Sequence, residues 1–381
     1  MDFLFNEEQQ MIINEAKKFA KNELEPMAEE LDAKGLVNES AIKKLGELGY
    51  LGMTIPEEYE GFDMGIVAYA GTMVELSKGD AGTSVAVTVQ NSLFNDAIIQ
   101  FGTEEQKHEY LPKLAIGEYI GCFSLTEPNS GSDPGSLKTT AIKDGDSYIL
   151  NGTKNFVTNG GFADIALVFA QTDPDKGAKG ISAFLVKVGT PGFEIGKHED
   201  KMGIRSSSTT ELLFTDCKVS ASALLGEENK GLSIALATLD GGRIGVAAQA
   251  IGIAEAALEE SIKYSKERVQ FGKPLSYQPV IANKIADMAT EVELAKTFLF
   301  RVAWMKETKQ KNYTKQAAML KLFAAEMSHR VCHAAVQIHG GYGYIKEYKV
   351  ERLYRDQRIT EIYEGTSEIQ RLVIGRNVLS E

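Results

Sequence analysis

The spacing of apolar residues changes character twice along the chain, and that double switch limits the fold more than any single motif. Up to residue 120 the apolar positions recur at helical spacing. Met11, Ile12, Phe19, Ala20 and Leu24 do so within residues 6–32, and the pattern repeats over 40–48, 65–78 and 85–101. Asn6 and Thr103 stand where N-caps belong, Gly49 closes the second helix, and residues 56–63 read as a mobile loop. Between 121 and 230 short β-branched and aromatic runs take over, at 147–150, 165–170, 181–188 and 211–215, separated by Gly, Asp and Pro turns. That predicts an antiparallel sandwich or barrel, and with no long helices between the strands it disfavours a doubly wound nucleotide fold. The helical period then returns over 232–268, 277–308, 314–339 and 366–379, the pattern of a bundle. The expectation is an α+β multidomain chain. It has an N-terminal α-helical domain over 1–120, a middle antiparallel β domain over 121–230 and a C-terminal four-helix bundle over 231–381, with a ligand crevice between units.

A length of 381 residues suits two or three such units. The net charge of −12 argues against nucleic-acid or anionic-membrane partners, so an anionic ligand must find a local cluster of Arg and Lys. No apolar run approaches a membrane span, and the acidic start of the chain resembles neither a signal nor a transit peptide, which predicts a cytoplasmic protein, a mature matrix form being compatible. Cys122, Cys217 and Cys332 are odd in number and far apart, which fits a reducing compartment. His329 and His333 share a helix face without a third ligand, no GxSxG is present, and Trp304 reads as a core residue.

The segment Arg358-Ile-Thr-Glu-Ile-Tyr-Glu-Gly-Thr-Ser-Glu-Ile-Gln370 places Glu364 between a ring and a glycine at a chain reversal, with Ser367 and Gln370 spaced to cap the next helix. In apolar surroundings such a carboxylate gains a raised pKa and becomes a proton acceptor. Taken alone, the segment favours the plainer reading of a solvated capping residue. Cys122-Phe-Ser-Leu-Thr-Glu-Pro-Asn-Ser-Gly-Ser-Asp133 and Lys154-Asn-Phe-Val-Thr-Asn-Gly-Gly161 offer hydroxyls and aromatics suited to a polar ring edge or a phosphate, or to plain surface turns. Arg268-Val-Gln-Phe-Gly-Lys-Pro274 sets a cation and an aromatic at a helix end. The glycines of His339-Gly-Gly-Tyr-Gly-Tyr344 follow a helix, which rules out a dinucleotide fingerprint.

Together with Lys201-Met-Gly-Ile-Arg205 and Asp240-Gly-Gly-Arg-Ile-Gly245, these motifs occur in the order and spacing of the acyl-CoA dehydrogenases, over essentially the whole chain. The chain resembles the short-chain, butyryl-CoA branch most, through Thr209-Thr-Glu-Leu-Leu-Phe-Thr-Asp-Cys217 and the run from Tyr363 to Val373. The resemblance implies FAD held between the β domain and the bundle, in a homotetramer built as a dimer of dimers. It places Phe123, Leu125, Thr126, Ser132, Phe156 and Thr158 along the flavin. From the neighbouring subunit, Arg268, Phe271, Gln337 and Gly341 meet the pyrophosphate and adenine, and Thr366 and Glu368 close the site. Pro279 stands where relatives often carry a Gln near the adenine, with Gln278 one place earlier. Glu364 matches the base that takes the α-proton, while the β-hydride passes to flavin N5. Ser132, Tyr363 and Gly365 flank the thioester, Asp240, Arg243 and Arg376 hold the CoA moiety, and electrons leave to an electron-transferring flavoprotein. Residues 85–98, expected to floor the acyl pocket, contain no Arg or Lys, which favours a neutral acyl chain. The same family pattern accommodates an enoyl-CoA reductase and a branched or alicyclic substrate; a flavin-free assembly protein is the alternative of a different class, but its expected mark, loss of Glu364 or of the Thr126 and Arg268 motifs, is missing, and an oxidase fits less well.

Overall fold

The computed structural model describes residues 5–380; residues 1–4, at the start expected to be leaderless, and Glu381 lie outside it. The first unit is helical. Asn6 and Gln9 form a reciprocal cap for α1 (Glu7–Phe19), which continues through a π-helical turn, Ala20–Leu24, into α2 (Glu25–Lys34). Next come α3 (Glu39–Glu47), α4 (Gly65–Gly79) and α5 (Ala81–Thr88), a second π segment (Val89–Asn95), α6 (Asp96–Phe101) and α7 (Glu104–Ala115), the last capped by Thr103 and Gln106. The sequence reads 85–101 as one regular helix. The π segment inside it is wholly buried, and the side-chain amides of Asn91 and Asn95 donate to Tyr50 O and Leu51 O. The loop at 56–63, expected to be mobile, is pinned: Tyr59 is buried and its hydroxyl donates to Glu104 at 2.9 Å.

The middle unit is an eight-stranded sheet of β1 (Gly121–Ser124), β2 (Thr140–Asp144), β3 (Ser147–Thr158), β4 (Ile165–Gln171), β5 (Ile181–Lys187), β6 (Phe193–His198), β7 (Thr209–Ser220) and β8 (Leu224–Leu225). Its order is β6-β7-β3-β2-β4-β5-β8, with β1 also on β4. The pairing is antiparallel except that β1 and one residue of β2 run parallel to β4, a departure from the all-antiparallel expectation. On β4, Ile165, Leu167 and Phe169 face a core shared with α6, α7 and the start of the long helix that follows, whereas Ala166, Val168 and Ala170 face the second core within the sheet. Side-chain alternation thus lets one strand serve two apolar layers.

The third unit opens with α8 (Gly231–Glu267), turns through a hairpin of β9 (Val269–Gln270) and β10 (Lys273–Pro274), and continues with α9 (Pro279–Glu307) and α10 (Tyr313–His339). A short α11 (Lys349–Gln357), invisible to the apolar pattern, precedes α12 (Ser367–Leu379). The third unit shares one apolar core with the first, and Ala-rich faces let α8, α4 and α10 approach closely. Trp304, expected in the core, is 42% exposed on the outer face of α9. All three cysteines are free and buried. No helix among the described residues is long and apolar enough to cross a membrane.

Candidate active site

Glu364 sits on a left-handed turn, with φ +51° followed by +92° at Gly365, a pairing that costs a non-glycine residue energy and holds only where neighbours fix it. They do so from three sides. The Gln370 side chain donates to Glu364 O at 3.2 Å and Gly365 O at 3.0 Å, and the buried Lys321 ammonium donates to Gly365 O at 2.7 Å. The Tyr363 hydroxyl donates to Gln249 Oε1 on α8, whose amide in turn donates to Ala81 O at 2.9 Å. The helix cap is Thr366, which accepts from Ile369 N, and not Ser367; Gln370 reaches back to the turn instead of closing a capping box.

The carboxyl so placed is withdrawn from water. Although the residue is half-buried, its Oε2 is sealed off and has no hydrogen-bond partner. Burial raises its pKa from the usual carboxylate range to about 7, against the lowering effect of the Lys321 and Arg243 cations. Among the hydrogen bonds of the described residues, the Glu364 N–H has no acceptor. A β-carbon at Gly242 would lie 2.1 Å from Oε2 and 2.8 Å from Leu93, so only glycine leaves the carboxylate this position.

Arg243 and Asp240 stand behind the base. Arg243 is buried, its Nη1 paired with Asp240, its Nε without a partner, and Asp240 also accepts from Thr314. The two side chains pair with each other close to the base, whose pKa Arg243 lowers. Arg376 lies ten residues beyond Thr366, about 15 Å along α12, exposed and apart from the Asp240–Arg243 pair. Residues 85–98 carry no cation, but Lys306 reaches in from α9 and pairs with Asp96 at 3.0 Å.

The residues expected along a flavin form a second group. Glu127 and Lys154 make a buried ion pair at 2.7 Å, and Asn155 N donates to Thr126 O at 2.8 Å, which fixes the chain after β1 against β3. The register of β3 on β7 slips between Lys154 and Val157, and within that bulge Phe156 takes φ +56° and stands 63% exposed. Phe123 and Thr158 are half-buried, Leu125 is buried and Ser132 lies exposed on the loop beyond. This wall is tied toward the base: Asn159 donates to Ala86 O on α5, and Gly121 N donates to Gln90 Oε1 on the π segment that carries Leu93. A third group lies at the far end of α8. Arg268 stacks on the Tyr342 ring and makes no ion pair among the described residues, Phe271 at the hairpin tip has φ +52° and is 93% exposed, and Gln278 caps α9. Gln337 and Gly341 are exposed at the end of α10, and Glu368 is exposed beside Thr366.

Three family models match in succession: the acyl-CoA dehydrogenase N-terminal domain over residues 6–118, the middle domain over 122–217 and the C-terminal domain over 229–379. The chain belongs to the acyl-CoA dehydrogenase family. It is 49% identical over 381 residues to an acryloyl-CoA reductase (NADH) of Anaerotignum propionicum, covering 100% of this chain and 96% of that protein. It is 48% identical over 373 residues to the mitochondrial short-chain specific acyl-CoA dehydrogenase of Rattus norvegicus, covering 98% and 90%. The structure of butyryl-CoA dehydrogenase from Megasphaera elsdenii superposes with a TM-score of 0.98 at 48% identity, each chain covered in full. The protein is thus an oxidoreductase of an FAD-dependent family, with the three-domain fold of its relatives. Its residues fit that cofactor: a ring held out on a strained bulge offers a stacking surface, the neighbouring Asn155 Oδ1 is buried and unpartnered, and an Arg without a counter-ion suits a pyrophosphate.

Proposed function

We propose that the protein removes hydrogen from Cα and Cβ of a short, uncharged acyl-CoA to give the trans-2-enoyl-CoA, with Glu364 as the base for the α-proton. The observation that carries this reading is the carboxylate on its left-handed turn, Oε2 shut off from water beside an unengaged backbone N–H. A pKa of about 7 makes the group a base suited to neutral pH, strong enough to accept the proton and ionised enough to be ready. The Glu364 N–H is the donor for the thioester oxygen, where negative charge gathers as the α-proton leaves. Tyr363 and Gly365 flank the thioester, and Ser132 faces it from the sheet side. Bound FAD supplies the hydride acceptor. Phe123, Leu125, Thr126, Phe156 and Thr158 form its wall, while Arg268, Phe271, Gln278, Gln337 and Gly341 serve the pyrophosphate and adenine of the neighbouring subunit's cofactor, closed by Thr366 and Glu368.

Phe271 standing 93% exposed at a hairpin tip supports such a shared site, and with it a homotetramer. Arg243 and Asp240 position and tune the base, which leaves the exposed Arg376 for a CoA phosphate. An electron-transferring flavoprotein takes the electrons. We place the domain boundaries near residues 120 and 230, where element type changes. The 49% identity to an acryloyl-CoA reductase favours a second reading, the same chemistry run toward saturation.

The test is the visible spectrum of the purified protein before and after anaerobic butyryl-CoA, with isovaleryl-CoA and glutaryl-CoA alongside. A yellow protein bleached by butyryl-CoA is the expected result. A colourless protein that FAD does not reconstitute refutes the reading, and bleaching by another thioester alone moves the substrate. Recovery of colour when the reduced protein meets acryloyl-CoA faster than crotonyl-CoA is the result expected of the reductase.

A further inference from the structure

Resting on the reading above, we infer that Asp356 is a positioning residue for the hydrogen transfer: it holds a strained turn at Ile204 and through it sets the flavin wall against the segment that carries the base. The turn lies in Lys201-Met-Gly-Ile-Arg205, between β6 and β7, a stretch to which the chemistry so far assigns no part. Ile204 takes φ +43°, an outlier for a β-branched side chain that persists only where surrounding contacts impose it. Helices of the first and third units impose it here. From α11, Asp356 Oδ1 accepts from Ile204 N at 2.6 Å, and Arg355 Nη1 donates to Met202 O at 3.0 Å. From α2, Asp32 O accepts from Arg205 Nε at 2.8 Å while its carboxylate pairs with Arg355. Asp80, the cap of α5, accepts from Ser206 Oγ at 2.8 Å. A β-carbon on Gly203 would run into the backbone of Arg355 and Asp356. The Ile204 side chain, though it belongs to the middle unit, is buried in the core that the first and third units share.

Both sides of this clamp lead to the site. Downstream of the turn, Ser208 O accepts from Asn159 N at 3.2 Å and Ser208 Oγ accepts from Gly161 N at 3.0 Å. Thr209 and Thr210 then pair with Thr158 and Val157, next to the bulge that presents Phe156. On the other side, Asp356 stands eight residues before Glu364. The chain between them stays turned: α11 runs into a 3-10 turn over Arg358–Glu361, Thr360 Oγ1 donates to Gln357 O, and Tyr363 N donates to Ile359 O. One carboxyl therefore joins the wall's strand to the base's own segment, whereas the bonds from Asn159 and Gly121 reach the first unit. What the turn needs from Asp356 is an acceptor oxygen. Burial, with Asp80 and Asp32 nearby, pushes this carboxyl up to about 7 against the Ile204 N–H and Arg352, so a neutral group with a carbonyl oxygen serves as well. Without that oxygen the Ile204 N–H is buried and unpaired, and the strained turn is free to relax.

The experiment follows anaerobic flavin bleaching by saturating butyryl-CoA in the FAD-loaded protein, read as a rate constant and as an amplitude per bound flavin. Asp356→Ala should lower the rate constant by about tenfold or more, with the amplitude and the half-saturating butyryl-CoA concentration kept within about twofold. Asp356→Asn, which keeps the acceptor, should bring the rate constant back to within about threefold of wild type. A residue that only stabilises the fold would lose flavin or amplitude while the loaded molecules bleach at the wild-type rate. That result, or an Asn variant as slow as Ala, overturns the inference and leaves the dehydrogenase reading standing. If the Ala variant holds no flavin, Ser206→Ala decides: it removes one hydroxyl from the same turn and is expected to slow bleaching by about threefold, and an unchanged rate constant overturns the inference. A wild-type protein bleached by a different thioester is tested with that thioester, and one that no thioester bleaches sinks both.

Discussion

Replacing Glu364 by Gln tests the base and its burial in one variant. Burial moves this carboxyl from 4.5 to about 7. Each unit corresponds to about 1.36 kcal/mol, so the ionised form carries a penalty of about 3.4 kcal/mol at most, and about 1–2 kcal/mol allowing for the partial exposure of the residue. The sign follows from which form is penalised. Below pH 4.5 the group is protonated whether folded or unfolded, and no penalty exists. Between 4.5 and 7 the unfolded chain ionises while the folded one keeps its proton, so wild-type stability falls as pH rises; above 7 the loss is complete. The amide never ionises and escapes the loss. Denaturant unfolding of both FAD-loaded proteins should therefore give similar midpoints near pH 5 and a more stable variant near pH 8.5. Turnover of butyryl-CoA should drop by about 10³-fold or more with flavin content unchanged, because the α-proton has no acceptor. A stability difference that does not change with pH would refute the burial argument, and near wild-type turnover would refute the assignment of the base.

Three further substitutions probe what surrounds it. Gly242→Ala should cut turnover by about 10²-fold or more while the flavin absorbance per protein stays constant, since the added methyl claims the space of Oε2 and Leu93. Lys321→Met removes a cation that lowers the pKa of Glu364, so the rise of kcat/KM with pH should move to higher pH; an unmoved profile would separate Lys321 from the base. Arg268→Ala should weaken FAD retention on ultrafiltration and loosen the tetramer on gel filtration, and full retention in an intact tetramer would contradict a pyrophosphate role.

The helical units were legible because their apolar faces are long and their caps conventional: Asn6 and Thr103 cap as their spacing demands. Strands β4 and β5 were legible for the opposite reason, being buried on both faces and so nearly continuous apolar runs. What escaped was short or exposed. β2 and β6 show mostly polar, solvent-facing residues, and α11 is amphipathic over only nine residues. At the site, Glu364 announced itself through Tyr-Glu-Gly at a reversal, but its supports Lys321 and Gln249 lie on helices whose patterns mark them as ordinary polar positions. A lysine buried by tertiary packing carries no local sign of it, and the same blindness made Trp304 look internal when it faces outward.

Helix α8 runs for 37 residues, about 55 Å, with Gly241, Gly242 and Gly245 in its first half and Arg268 just past its end. One rigid element thus carries both the close packing against the base and the approach to the hairpin. A β-carbon at any of the three glycines would press on a neighbour: on Lys306 from position 241, on Glu364 from 242, and on Thr88 and Tyr69 from 245. Side-chain volume on this face of α8 is therefore fixed from three directions, and only position 242 bears on the base itself.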